Sequence, residues 1–392
     1  MNYTFSKKVD SLKPSAIREI LKFTSIPGFI PFSAGNPSPE AFPVNEVNEI
    51  IKDIMTNRPI DALQYSITEG YTPLRDRLKK YMTDKHSSFK EFDELIITSG
   101  AQQVIELATK SLCDEGDTII CEEPSFIGSL NAFRSYGVNL CGVPLEHDGI
   151  NLEKLEHELK TQKNVRFIYV IPTFQNPSGV TMSLSKRKAL YALALKYNVI
   201  ILEDNPYSDL RFSGENVPTI KSLDTEGIVL YAGSFSKVLA PGIRVGYAIA
   251  PAQIISKLVV CKQVSDVHTN IMFQIVADEF MGQYDFDAHL QKLRDIYRKK
   301  ATLMTSSIDK NLSKDITYNA PEGGLFVWCT LPSHVDMLDY CKRAIDQKVA
   351  LVPGSAFIID GNAPCSNFRM NFSTPSDEQI IKGLELLGKV SF

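Results

Sequence analysis

Several things this chain of 392 residues lacks narrow it first. Its seven cysteines (Cys113, Cys121, Cys141, Cys261, Cys329, Cys341, Cys365) are scattered singly, with no CxxC pair and an odd count. That argues against a disulfide framework and for reduced, mostly buried thiols in a cytosolic protein. The six histidines form no HExxH and no cluster, so a metal site has little support. No uninterrupted apolar run approaches the ~20 residues of a membrane span. Lys7 and Lys8 are followed by no apolar stretch, which is unlike a signal peptide. Net charge is only -4, so no global field favours nucleic acid or an anionic membrane. Repeats and low-complexity tracts are absent.

What remains is ordinary globular composition, 44% hydrophobic and 22% charged, in a chain long enough for more than one domain. From Glu94 onward short apolar runs alternate with amphipathic stretches. Leu95–Thr98, Thr118–Cys121, Val138–Val143, Val165–Ile171, Val199–Leu202, Ile228–Ala232 and Val245–Ala250 read as seven buried strands. Ala101–Leu112 reads as a helix with Val104, Leu107, Ala108 and Leu112 on one face. Leu152, Leu155 and Leu159 stripe another, and Ser185–Tyr197 reads as a third with Ser185 as its N-cap. This alternation predicts an α/β domain with a mostly parallel sheet between helices. Beyond it come a long charged helix from Asp287, a Gly-Gly-containing hairpin (Tyr318–Thr330) and strands at Ala350–Val352 and Asn367–Phe372. These predict a smaller α+β domain. The expected division is 46–285 for the large domain, with 1–45 and 286–392 for the small one. The Pro- and Gly-rich stretch Ile26–Pro43 is punctuated by Phe29, Ile30 and Phe32, which fits a structured loop.

Four islands carry the chemistry. Gln175-Asn176-Pro177-Ser178-Gly179 follows the strand ending near Ile171, and Glu203-Asp204-Asn205-Pro206-Tyr207 follows the one ending at Leu202. Ser234-Phe235-Ser236-Lys237 follows the one ending at Ala232, with Arg244 just beyond, and Arg369 lies in the last strand. Open α/β sheets bind ligands at the carboxyl ends of their strands, so three of the islands can share one pocket. A lysine after an apolar run, between hydroxyls and an arginine, is poorly sited for a surface role. It suits an amine that forms an imine with an aldehyde while the hydroxyls and arginine hold that molecule's phosphate. Ser-x-x-Lys alone is weak, since serine hydrolases also use it. Arg369, amid Phe368, Met370 and Phe372, calls for an anion. An arginine fork suits a carboxylate, and an internal salt bridge is the plainer alternative.

Taken in order, these islands resemble the fold type I pyridoxal phosphate (PLP)-dependent aminotransferases of class I/II. The runs Ile17-Arg18-Glu19-Ile20-Leu21-Lys22 and Ala34-Gly35-Asn36-Pro37-Ser38-Pro39 are similar to the branch containing aminoadipate and kynurenine aminotransferases. The resemblance spans nearly the whole chain. It implies Lys237 as the imine-forming lysine and Asp204 as the partner of the pyridine nitrogen. Tyr207 and Asn176 would then bond the ring 3′-oxygen. It implies a phosphate site from Ser234, Ser236, Arg244 and the helix N-terminus at Gly100, Ala101 and Gln102. Ala101 departs from the family, which often has a hydroxyl residue there. Phe126 would lie over the ring, although an ordinary core phenylalanine reads nearly as well. Tyr65 would reach the phosphate of the neighbouring subunit in an obligate homodimer. Arg369 would bind the substrate α-carboxylate, with Gly35 and Asn36 beside it. Arg18 would reach a distal side-chain group, against the commoner reading of an exposed helical arginine.

The activity so implied is transfer of an amino group from an L-amino acid to a 2-oxo acid, 2-oxoglutarate above all, by ping-pong kinetics. No nucleic acid or membrane partner is expected. Two rivals share the scaffold. A PLP-dependent C–S β-lyase would use the same cofactor residues. A PLP-sensing regulator would need a DNA-binding module ahead of Ala34, where about 30 non-basic residues are too few for one. The donor amino acid is not legible, because side-chain pockets in this family are built by loops.

Overall fold

The computed structural model describes residues 3–6, 8, 26, 28–361 and 363–390. Arg18 lies outside the described residues.

The main sheet contains β1 (Asp93–Thr98), β2 (Thr118–Glu123), β3 (Asn139–Glu146), β4 (Gly149–Ile150), β5 (Val165–Val170), β6 (Ile200–Asp204), β7 (Val229–Ser234) and β8 (Gly246–Pro251). Their order is β1-β8-β7-β6-β5-β2-β3-β4. From β7 to β3 the neighbours run parallel, while β8 is antiparallel to both β7 and β1. The seven expected strands are all present, and the sheet has eight. β4 is a two-residue partner of β3, with Leu145 opposite Ile150, too short for any apolar run to announce it. Helices cover both faces, which is why Phe167 to Val170 are fully buried and read as a continuous apolar run. Among the described residues no helix is long and apolar enough to cross a membrane. All seven cysteines are free.

The helix Leu184–Tyr197 begins one residue before its expected start, and Ser183, not Ser185, caps it. The Ser183 hydroxyl accepts from the Lys186 amide, which supplies a partner to one of the orphan donors of the first turn. Ser185 lies inside the helix with its hydroxyl against that of Ser183.

A second, antiparallel sheet is formed by β9 (Thr317–Tyr318), β10 (Phe326–Thr330), β11 (Val352–Pro353) and β12 (Asn367–Asn371), in the order β11-β12-β10-β9. It packs with the 26-residue helix Phe286–Asn311 and the helix Asp377–Leu387, whose N-terminus carries a Ser376/Gln379 capping box. From residue 28 onward the Pro-rich N-terminal stretch is tied into the fold, as its apolar punctuation predicts. Ile30 bridges Val349, the Asn371 amide donates to the Phe32 carbonyl, and the Phe32 ring is fully buried. Residues 33–36 are thereby pinned beside β12 and Arg369.

The register of the main sheet assembles the site. Gly246 lies opposite both Thr98 at the end of β1 and Ser234 at the end of β7. The turn after β1, the lysine turn after β7 and Arg244 ahead of β8 therefore meet at one place. A β-carbon on Gly246 would sit 2.6 Å from the Gly100 carbonyl carbon and 2.7 Å from the Ala101 amide nitrogen. Only glycine permits that approach.

Candidate active site

A cavity of about 390 Å³ opens at the carboxyl ends of β5, β6 and β7. Lys237, Asp204, Tyr207, Asn176, Ser234, Ser236 and Arg244 line it. So do Ala101, Gln102, Phe126, Gly35, Asn36 and Arg369. Gly100 lies just behind this wall, in the left-handed region at φ +79°, where an added β-carbon would run into the Arg244 guanidinium. Tyr65 is outside the cavity of its own chain. It is 81% exposed and stacks edge-on against His268 at 5.8 Å.

Three cations, Lys237, Arg244 and Arg369, face a single carboxylate, Asp204, in this wall. That balance makes the cavity a receptor for anions. Burial, aided by the positive charges of Arg369 and Arg244, lowers the Lys237 amine to about 8. Its Nζ donates to the Gly35 carbonyl at 2.7 Å. Burial raises the Asp204 carboxyl to about 6, against a lowering bond from the Tyr169 phenol at 2.7 Å. Asp204 Oδ1 is buried with no partner. Burial also pushes the Tyr207 phenol above its ordinary range, with a bond to Asn176 opposing the shift.

Arg369 is held from several sides. Nη1 donates to Asn176 Oδ1 at 2.7 Å, and Nη2 to the Ser33 and Ala34 carbonyls at 3.1 and 3.4 Å. The Phe326 and Phe357 rings lie 4.2 and 5.1 Å from the guanidinium carbon, and Nε has no partner. Burial lowers this group to about 10, so it stays charged at neutral pH. No carboxylate pairs with it among the described residues, which disfavours the internal salt bridge.

At the other end, Arg244 donates to Ser236 Oγ at 3.3 Å and to the Ser99 carbonyl at 3.2 Å. Ser234 Oγ accepts from the Ser236 amide. With the first amides of the helix Ala101–Leu112 alongside, hydroxyls, guanidinium and backbone donors converge as phosphate binding requires. A phosphate cradle at one end, an orphaned carboxylate oxygen at the centre and a buried amine between them fit pyridoxal phosphate in charge and donor set.

Some functional neighbours escape sequence reasoning. Tyr169 points from the middle of β5 and reads as core. Phe326, which faces both Arg369 and Tyr207, is visible only as an apolar residue of the hairpin Tyr318–Thr330, two places after Gly324. Arg187 is fully buried. It donates to the carbonyls of Pro172, Met182 and Pro218 and to Thr173, holding the loop that carries Asn176. It lies on a helix whose buried side also carries Lys186, so the sequence pattern gives no signal for that role.

The family model for aminotransferase class I and II matches residues 27–387. The chain is 38% identical to aromatic-amino-acid aminotransferase 1 of Thermococcus litoralis, over 98% of this chain and 93% of that one. It is 37% identical to 2-aminoadipate transaminase of Thermus thermophilus, over 98% and 96%. The crystal structure of Pyrococcus horikoshii kynurenine aminotransferase superposes with a TM-score of 0.94 at 36% identity, covering 98% of this chain and 96% of that one. Sequence order, fold and cavity therefore converge: the chain belongs to aminotransferase class I and II, as a pyridoxal phosphate-dependent amino acid aminotransferase of fold type I in the aminoadipate/kynurenine branch.

Proposed function

We propose that Lys237, Asp204 and Tyr207 carry the chemistry and that Arg369 holds the α-carboxylate of each substrate in turn. When bound, pyridoxal phosphate supplies an aldehyde for the donor's amino group and a ring that draws electron density from the bond that breaks. Asp204, as a carboxylate, would hold the ring nitrogen in its protonated form. Tyr207 and Asn176 would bond the ring's 3′-oxygen, with Phe126 beside the ring. Ser234, Ser236, Arg244 and the backbone of Gly100, Ala101 and Gln102 would hold the phosphate. Lys237 Nζ is the base that takes the substrate's α-proton. Its lowered pKa leaves a useful neutral fraction near pH 8 and above. Arg369, Gly35 and Asn36 orient the substrate so that the α-bond to be broken faces that base.

The observation that carries the reading is the placement of the buried Lys237 amine, Asp204 and Arg369 in one cavity. We assign 2-oxoglutarate as the acceptor, with ping-pong kinetics, in a cytoplasmic homodimer. Residues 46–285 would form the large cofactor-binding domain, with 1–45 and 286–392 the smaller one. The exposed ring of Tyr65 supports its service to a neighbouring subunit's phosphate. Arg18 is assigned to the distal end of the donor, a role carried from the branch alone. The aminoadipate, kynurenine and aromatic relatives favour donors with long side chains.

The test is absorbance of the purified holoenzyme during titration with a panel of L-amino acids, followed by 2-oxoglutarate. The expected result is one equivalent of 2-oxo acid per site from donor alone, and turnover once acceptor is added. Lys237→Ala should lower turnover by at least about a hundredfold while still binding the cofactor. Pyruvate and thiol release from sulfur amino acids, without amino transfer, would replace this reading with the C–S lyase. Unchanged turnover in Lys237→Ala would remove the assigned base.

A further inference from the structure

Tyr169 is no part of the cavity wall, yet it is hydrogen-bonded to one group that is. Its phenol donates to Asp204 Oδ2 at 2.7 Å, and its oxygen accepts from the Ser129 hydroxyl at 2.7 Å. Tyr169 and Ser129 are fully buried, and Asp204 is 3% exposed. The three residues come from separate elements: Ser129 from the helix Ile127–Ser135, Tyr169 from β5 and Asp204 from β6. The Phe133 ring packs edge-on against Tyr169 at 5.3 Å and fixes its orientation. Among the described residues Tyr169 is the one hydrogen-bond donor to the Asp204 side chain, and Oδ1 is left without a partner. One carboxylate oxygen is tied back into the protein while the other remains for what enters the cavity.

We propose that Tyr169, backed by Ser129, is a positioning residue for the cofactor ring: it holds Asp204 so that Oδ1 is offered to the ring nitrogen, and it favours the ionised carboxylate. The inference rests on the reading that Asp204 faces that nitrogen. A buried carboxylate without a donor takes up a proton, and a neutral acid cannot hold a protonated ring nitrogen by charge. Burial pushes the Tyr169 phenol well above its ordinary value, so it remains a donor throughout the working range. Ser129, donating to the phenol oxygen, polarises that donor further. Two other titratable groups face this trio. Glu122 on β2 is raised to about 8 by burial, and Tyr207 lies beyond Asp204. Neither donates to Asp204, so neither replaces Tyr169.

The test uses full-length protein with Tyr169→Phe and Ser129→Ala. Apo-protein is titrated with pyridoxal phosphate from pH 5 to 9, and steady-state kinetics are measured on the holoenzymes. Losing a bond to a charged group predicts about tenfold weaker cofactor binding in Tyr169→Phe and an acid limb moved up by about one pH unit. The sign follows from Asp204 protonating more easily. On the same basis kcat should fall about ten- to hundredfold, with KM within about twofold. Ser129→Ala should shift the limb the same way by less. Wild-type affinity and an unmoved acid limb in Tyr169→Phe would overturn the inference, as would a KM rise matching the activity loss. If Tyr169→Phe does not fold, Ser129→Ala decides: an upward shift supports the inference and none sinks it. Wild-type protein that takes up no pyridoxal phosphate would instead remove the reading on which it rests.

Discussion

At the scale of single residues, two side chains of the cavity, Lys237 and Arg369, are both tuned by burial. Lys237 has its charged form disfavoured by burial and by Arg369 and Arg244, so its amine is neutral above about pH 8. The expected outcome is that apo-protein acetylates at Lys237 with a midpoint near pH 8, well below that of surface lysines. Peptide mapping after brief acetic anhydride labelling across pH checks it. Arg369 presents a planar fork between Phe326 and Phe357. Arg369→Lys keeps the charge and loses the fork. It should lower kcat/KM about ten- to hundredfold for every donor alike, chiefly through KM. Steady-state assays with acidic and aromatic donors check this, and loss confined to one donor would place Arg369 against a side chain instead. Both residues are legible in the sequence because their neighbours betray them: an apolar run ahead of the lysine, and apolar residues alternating around the arginine. Tyr169 gives no such sign, because a buried tyrosine inside a buried strand satisfies the pattern whether or not its hydroxyl has work to do.

Elements hold these residues by a few buried polar ties. Lys221, in the short helical turn before β7, donates to Asp93 at the start of β1 at 2.8 Å, to Asp224 at 2.9 Å and to the Val229 carbonyl at 3.0 Å. All three charged side chains are fully buried. Lys221→Met would strand two carboxylates in the interior, at a cost of about 3–5 kcal/mol. The expected result is a clear fall in Tm with kcat little changed in the remaining folded enzyme. Thermal unfolding beside activity at low temperature checks it. The strands themselves are legible because a sheet covered on both faces needs uninterrupted apolar runs. β4 is not legible, since two residues bury too little to leave a pattern. Nor is the true cap of the helix Leu184–Tyr197, because Ser183 and Ser185 are chemically equal and only backbone geometry chooses between them.

For the whole molecule, the question is how many chains one site needs. Tyr65 is exposed and does not line the cavity of its own chain. If it serves the adjacent subunit, a hybrid of Lys237→Ala and Tyr65→Ala chains gathers both lesions in one site and leaves the other intact. Mixed preparations should then exceed the mean activity of the two parents, approaching roughly half of wild type per hybrid dimer. Activity at or below that mean, once exchange is verified by mass, would place Tyr65 in a purely local role. Composition and periodicity give no sign of such a role for Tyr65; only the family resemblance suggests it. A last consequence follows from the main-chain oxygens of Ser33, Ala34 and Gly35, which already engage Arg369 and Lys237. An arriving carboxylate must share these donors or evict the peptide groups, so docking is a swap of partners with little net gain. Such an exchange would hold ground-state affinity down. If Arg369 receives the acid group of each substrate in turn, such an exchange would ease both the departure of one and the entry of the next.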